Sequence, residues 1–555
     1  MRPVSHSLVF CSLLVLGCAS ESGDGAGAPI ASSAAVAPVV LDGLGGHHRK
    51  VSTTSPEAQR WFDQGLALAF AFNHDEAERS FNEAARLDPK CAMAHWGAAL
   101  VNGPHINKPA MDPERSERAF AAWKRADSES AAATPVERAL IAALGRRYAW
   151  PAPADRIPLD RAYADAMREV HKNFPADADV AALFAEALMD LRPWDLWTKD
   201  GQPRPETPEI GAVLERALAL SPAHPLALHL TIHAWEASPT PERALPAADT
   251  LRSLAPGLGH LVHMPAHIDA RLGRWADAIE ANRRAEAVDR AYRARSPKQG
   301  FYRLYMAHNP HFLAWAAMME GRYELAMKAA QDLIAAVPTE SIENQGALVD
   351  GFMTIALEVM IRFGKWQEIL AEPAPPPTLA FTGAFRFYAR GIALAALGRP
   401  VEADRERASF ETAIAKIPPT NPFGNNTVGQ VAAIAKLMLA GEIAAARGRL
   451  DDACKNLAAA AALEDELRYN ESPDWIHPVR HALGAFLLRA ERVDEAEAVY
   501  RTDLTKNPEN GWALFGLMQA LEKKGSPEAV LVKARFERAF ARADTKIPSS
   551  CLCAQ

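Results

Sequence analysis

Pro222 and Pro256 stand 34 residues apart, and each closes an apolar helical stretch, residues 210–220 and 244–254. The same unit is legible at Trp61, Gly65, Ala77, Phe81, Ala84 and Pro89, in the order large, small, small, large, small, proline. Small residues at fixed positions let two short antiparallel helices approach closely, and a large one fills the space between them. A unit this short cannot bury its apolar face alone, so a chain built from it must stack its units side by side. Further units keep the rhythm: Gly273 with Trp275, Ala278 and Ala285; Gly321 with Tyr323 and Ala326; Gly441 with Gly448, Ala453 and Ala460; and Gly484 with Ala496, Tyr500 and Pro508. From Pro256 to Pro338 the chain runs 82 residues, 14 more than two units, and the excess is expected around residues 291–304. Strand signals are nearly absent, so the fold class is all-α.

This pattern resembles the tetratricopeptide repeat (TPR). The resemblance implies a right-handed α-solenoid of helical hairpins, a binding scaffold with a concave groove lined by the first helix of each unit. It covers residues 55–545, interrupted by irregular insertions near 103–110, 190–208, 291–304 and 417–430, with a C-terminal tail at 546–555.

Histidines fall in register on this ruler. With the closing proline at position 32, His229, His263 and His311 take position 5 of a first helix, His260 and His308 take position 2, and His233 and His267 take position 9. Steps of three and four residues keep a set on one helical face. His229, His233 and Glu236 form HxxxHxxE, and His263 with His267 forms a second HxxxH. An i, i+4 histidine pair can hold one metal ion, and packed helices roughly 8–10 Å apart let imidazoles from two of them converge. The expected metal ligands are therefore His229, His233, Glu236, His263 and His267, with His260, His308 and His311 as possible additions. Zn, Cu or Fe suits imidazole and carboxylate donors. Asp269 and Asp277 are the nearest candidates to support the ligands from behind. Against the metal stands Pro265, which is comfortable only in a first helical turn and so threatens to move His260 and His263 off the stripe. The same groove, with Trp194, Trp197 and Trp235 beside it, could instead grip a partner's peptide, a protein or a small ligand without metal. A metalloenzyme of unknown substrate is a third reading, although HExxH, GxSxG, GxxxxGK[ST] and CxxCH are all missing. His477 and His481 read as surface or capping residues. His95, His105 and Trp96 could join the groove only if the superhelix closes on itself.

The amino terminus reads as an address rather than structure. Arg2 precedes a short apolar run at 8–16, too brief to span a bilayer, which ends in Val15-Leu16-Gly17-Cys18. That ending resembles a bacterial lipobox, which implies cleavage after residue 17, a lipid on Cys18 and a flexible tether over residues 18–54. With Ala19 next, the resemblance points to the outer membrane, on the periplasmic face of the cell envelope. A plain secretory signal cleaved elsewhere is the alternative. A formal charge of −7 gives no basic footprint for nucleic acid. Of six cysteines, Cys551 and Cys553 form a terminal Cys-Leu-Cys, readable as a soft-metal or redox tail, a local disulfide or a chance pair.

Overall fold

A computed structural model of the chain describes residues 38–296, 298–338, 342 and 349–554. The expected signal peptide, Cys18 and the first part of the expected tether lie outside the described residues. The rest is a TPR-like α-solenoid. Helical hairpins follow one another from Pro56–Phe70 with His74–Leu87 to Gly511–Lys523 with Glu528–Ala539. The strands among the described residues pair Pro422–Phe423 with Asn426–Thr427, inside the proline-rich insertion. Sequence chemistry sets the helix starts: the Ser55 side chain accepts from Ala58 N just before Pro56, and Thr134 with Glu137 forms a capping box.

The small and large positions do what their sizes require. Gly65 and Gly97, on successive first helices, both lie against the Phe81 ring, and a Cβ would come within 2.7 and 2.5 Å of it. Gly484 and Gly516 hold Tyr500 in the same way near the C-terminus. The excess residues after Pro256 are used to lengthen Trp275–Arg295 to 21 residues and to form a short connector before Arg303–Met319.

Those two long helices close the superhelix. Tyr292 donates to Glu76 at 2.8 Å and Phe301 N to Asp75 at 3.0 Å, which joins the middle of the chain to its first hairpin. On the other side, Trp275 donates to the Pro508 carbonyl and Trp512 to the Met318 carbonyl. The wall expected to be an open groove is therefore folded inward around an enclosed interior.

Two flanking segments differ from expectation. The described part of the tether, residues 38–54, is not free: Leu41 N donates to Gln64, Ser52 N to Glu137, and Arg49 to both Asp177 and Asp179. The C-terminal tail is equally docked. Ser550 is fully buried between Tyr500 and the His481 carbonyl, and Cys551 is bonded to Cys553.

Candidate metal centre

The helices Pro225–Trp235, Gly259–His263 and Pro265–Arg271 present the histidines, and Arg303–Met319 closes the far side. Pro265 sits at the first position of its helix and breaks the segment in two without scattering the rings. His229 and His233 meet Nε2 to Nε2 at 3.1 Å, and His263 and His267 do so at 2.8 Å. Donor atoms of His229, His233 and His260 lie within 4.8 Å of one another, as do those of His263, His267 and His308. His229 and His263 are fully buried, and His308 is partly exposed.

The outer nitrogens decide the chemistry of the inner ones. His229 Nδ1 faces the Phe70 carbonyl at 2.8 Å, and His233 and His267 Nδ1 face the two oxygens of Glu236 at 2.9 and 2.5 Å. His263 Nδ1 faces Asn282 Oδ1 at 2.8 Å, while the Asn282 amide nitrogen donates to the Ala278 carbonyl. All four partners are acceptors, so a hydrogen on each Nδ1 suffices for them and would leave the Nε2 lone pair free to bind a metal. Two close contacts then oppose lone pair to lone pair with no hydrogen between them. A metal ion held by the two nitrogens would resolve that opposition. Burial holds His229, His260 and His263 well below the ordinary histidine pKa, which disfavours a shared proton. Two nitrogens on one metal at about 2.1 Å stand roughly 3.0 Å apart at a right angle and roughly 3.4 Å apart in a tetrahedron, near the observed 3.1 Å contact and somewhat longer than the 2.8 Å one. Both nitrogens of buried His260 lack a hydrogen-bond partner among the described residues. A buried polar group without a partner is costly, and a metal ligand needs a free lone pair.

Glu236 forms a further close group with His233 and His267, their donor atoms within 4.8 Å of one another. Rather than joining the Nε2 atoms, it takes a hydrogen from a ring in each three-histidine group and so ties the groups together. Burial works to raise its pKa, but His233 and His267 outweigh that and hold it at about 2, ionised. An anion behind two imidazoles strengthens them as donors. Asp269 and Asp277, the expected supports, face away: Asp269 pairs with Arg252 and Arg274, and Asp277 with Arg274. His311 also leaves the cluster, its ring lying against Phe352 at 5.3 Å.

Aromatic side chains wall the interior. Phe72 packs on His229 at 4.4 Å and stacks on His233 and His260, and Trp194 meets His233 edge-on at 5.5 Å. Phe72 and Trp194 both have positive φ, 55° and 59°, a region that bulky residues rarely adopt. The Trp194 indole donates to Asn107 Oδ1, and Asn107 Nδ2 donates to Tyr305, whose ring covers His260 at 4.5 Å. A narrow cleft between Ile106, Met189, Trp194 and Leu196 reaches His233 and Glu236. Trp197 and Trp235 stand outside the cluster, packed on one another at 5.4 Å with Arg243 over Trp235. Closure of the superhelix brings His105 to Phe72 and to within 4.2 Å of the His74 ring. His95 remains on the surface side, and Trp96 is core. His477 and His481 are buried rather than superficial, with His481 bonded to Asp503 at 2.9 Å.

A further group, His47, Asp179 and His224, has a different purpose. Asp179 already receives Arg49 at 2.7 Å, so its charge is matched by a cation from the docked amino-terminal segment.

No family model matches the chain, and no curated protein matches it. Among solved structures it is similar to human IFIT1, at 11% identity over 89% of this chain and 92% of that one, with a TM-score of 0.32. It is also similar to yeast Tom70, at 12% identity over 87% and 93%, with a TM-score of 0.30. The Cut9–Hcn1 assembly gives 12% identity over 88% and 97%, with a TM-score of 0.26. These values carry nothing about the site. The fold and the site define the class: a TPR-like helical solenoid closed around a buried imidazole cluster.

Proposed function

We propose that this protein binds transition-metal ions, one in each of the three-histidine groups His229, His233, His260 and His263, His267, His308. The observation that carries the reading is the pair of Nε2–Nε2 contacts, 3.1 and 2.8 Å, between rings whose Nδ1 hydrogens are already committed to acceptors. Imidazole sets without a carboxylate ligand suit copper or zinc. Glu236 is the shared counter-charge and positions a ring in each group. The test is elemental analysis of full-length protein purified without a histidine tag. About two equivalents of copper or zinc are expected, and His233→Ala/His267→Ala together should abolish retention while the helical circular dichroism persists. Under a tenth of an equivalent, unchanged by incubation with either metal, would sink the reading.

The amino-terminal sequence supports a second part of the reading, that Cys18 carries a lipid and the solenoid is held at an envelope membrane. Mass spectrometry of the mature terminal peptide should find a diacylglyceryl group on Cys18, and Cys18→Ser should move the protein to the soluble fraction. An unmodified terminus would refute this part alone.

A further inference from the structure

The C-terminal hook holds a cysteine pair that the metal reading does not use. Cys551 and Cys553 are bonded across a single residue. A disulfide stabilises a fold chiefly by closing a loop in the unfolded chain, and this loop is close to the shortest possible. The hook is in any case fixed without it: Ser550 is bonded to Tyr500 and to the His481 carbonyl, and Gln519 donates to the Pro548 carbonyl. Stability therefore does not account for the bond.

Its surroundings are asymmetric. Cys551 is partly exposed and Cys553 is buried, and the carboxyl of Glu442 from Val428–Ala446 lies with both sulfurs inside a 4.8 Å group. Glu442 is 3% exposed and makes no hydrogen bond or ion pair among the described residues. Burial pushes its pKa up to about 8, against a weaker opposing pull from Arg489, so it holds a proton at neutral pH. Besides the sulfurs, the titratable groups that face it are Arg489 and Tyr388.

We propose that Cys551–Cys553 is a thiol–disulfide exchange site for dithiol-bearing molecules, in which Cys551 is attacked and Glu442 is the proton donor to the departing Cys553 sulfur. The donor's thiolate attacks Cys551 Sγ and the Cys551–Cys553 bond breaks. The electron pair goes to Cys553, which takes its proton from Glu442. The donor's second thiolate then attacks its own sulfur in the mixed disulfide and releases Cys551. The net result is a donor disulfide and a Cys551, Cys553 dithiol, with two electrons transferred and both the released Cys551 thiolate and Glu442 protonated from water. Attack prefers the accessible sulfur, and a protonated leaving group leaves more readily.

Two independent measurements on the full-length chain test this. Cys553→Ser, incubated with oxidised glutathione, should form a mixed disulfide at Cys551 by mass spectrometry, at least about tenfold faster than Cys551→Ser forms one at Cys553. Reduction of the wild-type bond by dithiothreitol, corrected for the donor's thiolate fraction, should slow as pH rises past 8. Glu442→Gln should lower the rate about tenfold at pH 7 and remove that inflection. Equal trapping at both cysteines, a bond that resists reduction until the chain unfolds, or an unchanged pH profile in Glu442→Gln would each overturn the proposal.

Discussion

His263 and His267 flank Pro265, and the way they still meet explains much of what the sequence could and could not disclose. Spacing of four residues is a local property, so both HxxxH pairs were legible without any structure. The acceptors that fix their tautomers were not: Phe70 is 159 residues from His229, and Asn282 belongs to a separate helix. Asp269 failed as a support because two residues from His267 is the opposite face of a helix, where Arg252 and Arg274 wait. His308 and His311 share one helix, but His308 lies on the cluster and His311 on Phe352. Glu236→Gln preserves volume but removes the charge shared by His233 and His267. It should weaken metal binding about 10- to 100-fold in competition with a chromophoric chelator, with no change in stoichiometry. A different residue tests the electrostatics of the core. Burial pushes Glu358 up to about 8, so its native state keeps a proton that the unfolded state loses above about 4.5. Its contribution is fully present below about pH 4.5 and is lost as pH rises through 8. Glu358→Gln should therefore gain on the order of 2–4 kcal/mol relative to wild type between pH 5 and pH 9, read from urea unfolding midpoints.

At the scale of the helices, the repeat ruler rested on glycines and alanines whose reasons differ. Gly516 lies on the Tyr500 ring, where a Cβ would come within 2.1 Å, whereas Gly211 has ordinary contact at 3.4 Å with Trp235. Gly516→Ala should cost about 1–3 kcal/mol through overpacking. Gly211→Ala should stabilise by about 0.5–1 kcal/mol by restraining the unfolded chain, and thermal unfolding of the two variants separates the effects. The docked segment 38–54 escaped sequence reading because its anchors, Asp177 and Asp179, are distant in the chain. Arg49→Ala leaves those carboxylates without their cation and should expose this segment to limited proteolysis while the repeats stay intact.

Over the whole molecule, hairpins legible one at a time close into a turn that no single hairpin specifies. Contacts from Tyr292 to Glu76 and from Trp512 to Met318 convert a groove into an interior, and that closure is why the imidazoles are buried. Burial lowers the pKa of His229, His260 and His263, acceptors face the outer nitrogens, and on the proposed reading the paired Nε2 atoms hold metal ions. The most direct test of this account is the metal stoichiometry of variants that each disable one group. His229→Ala/His260→Ala and His263→Ala/His308→Ala should each retain about one equivalent of copper or zinc where the wild type holds two. Loss of all metal from either variant, or full retention by both, would contradict the two-group geometry.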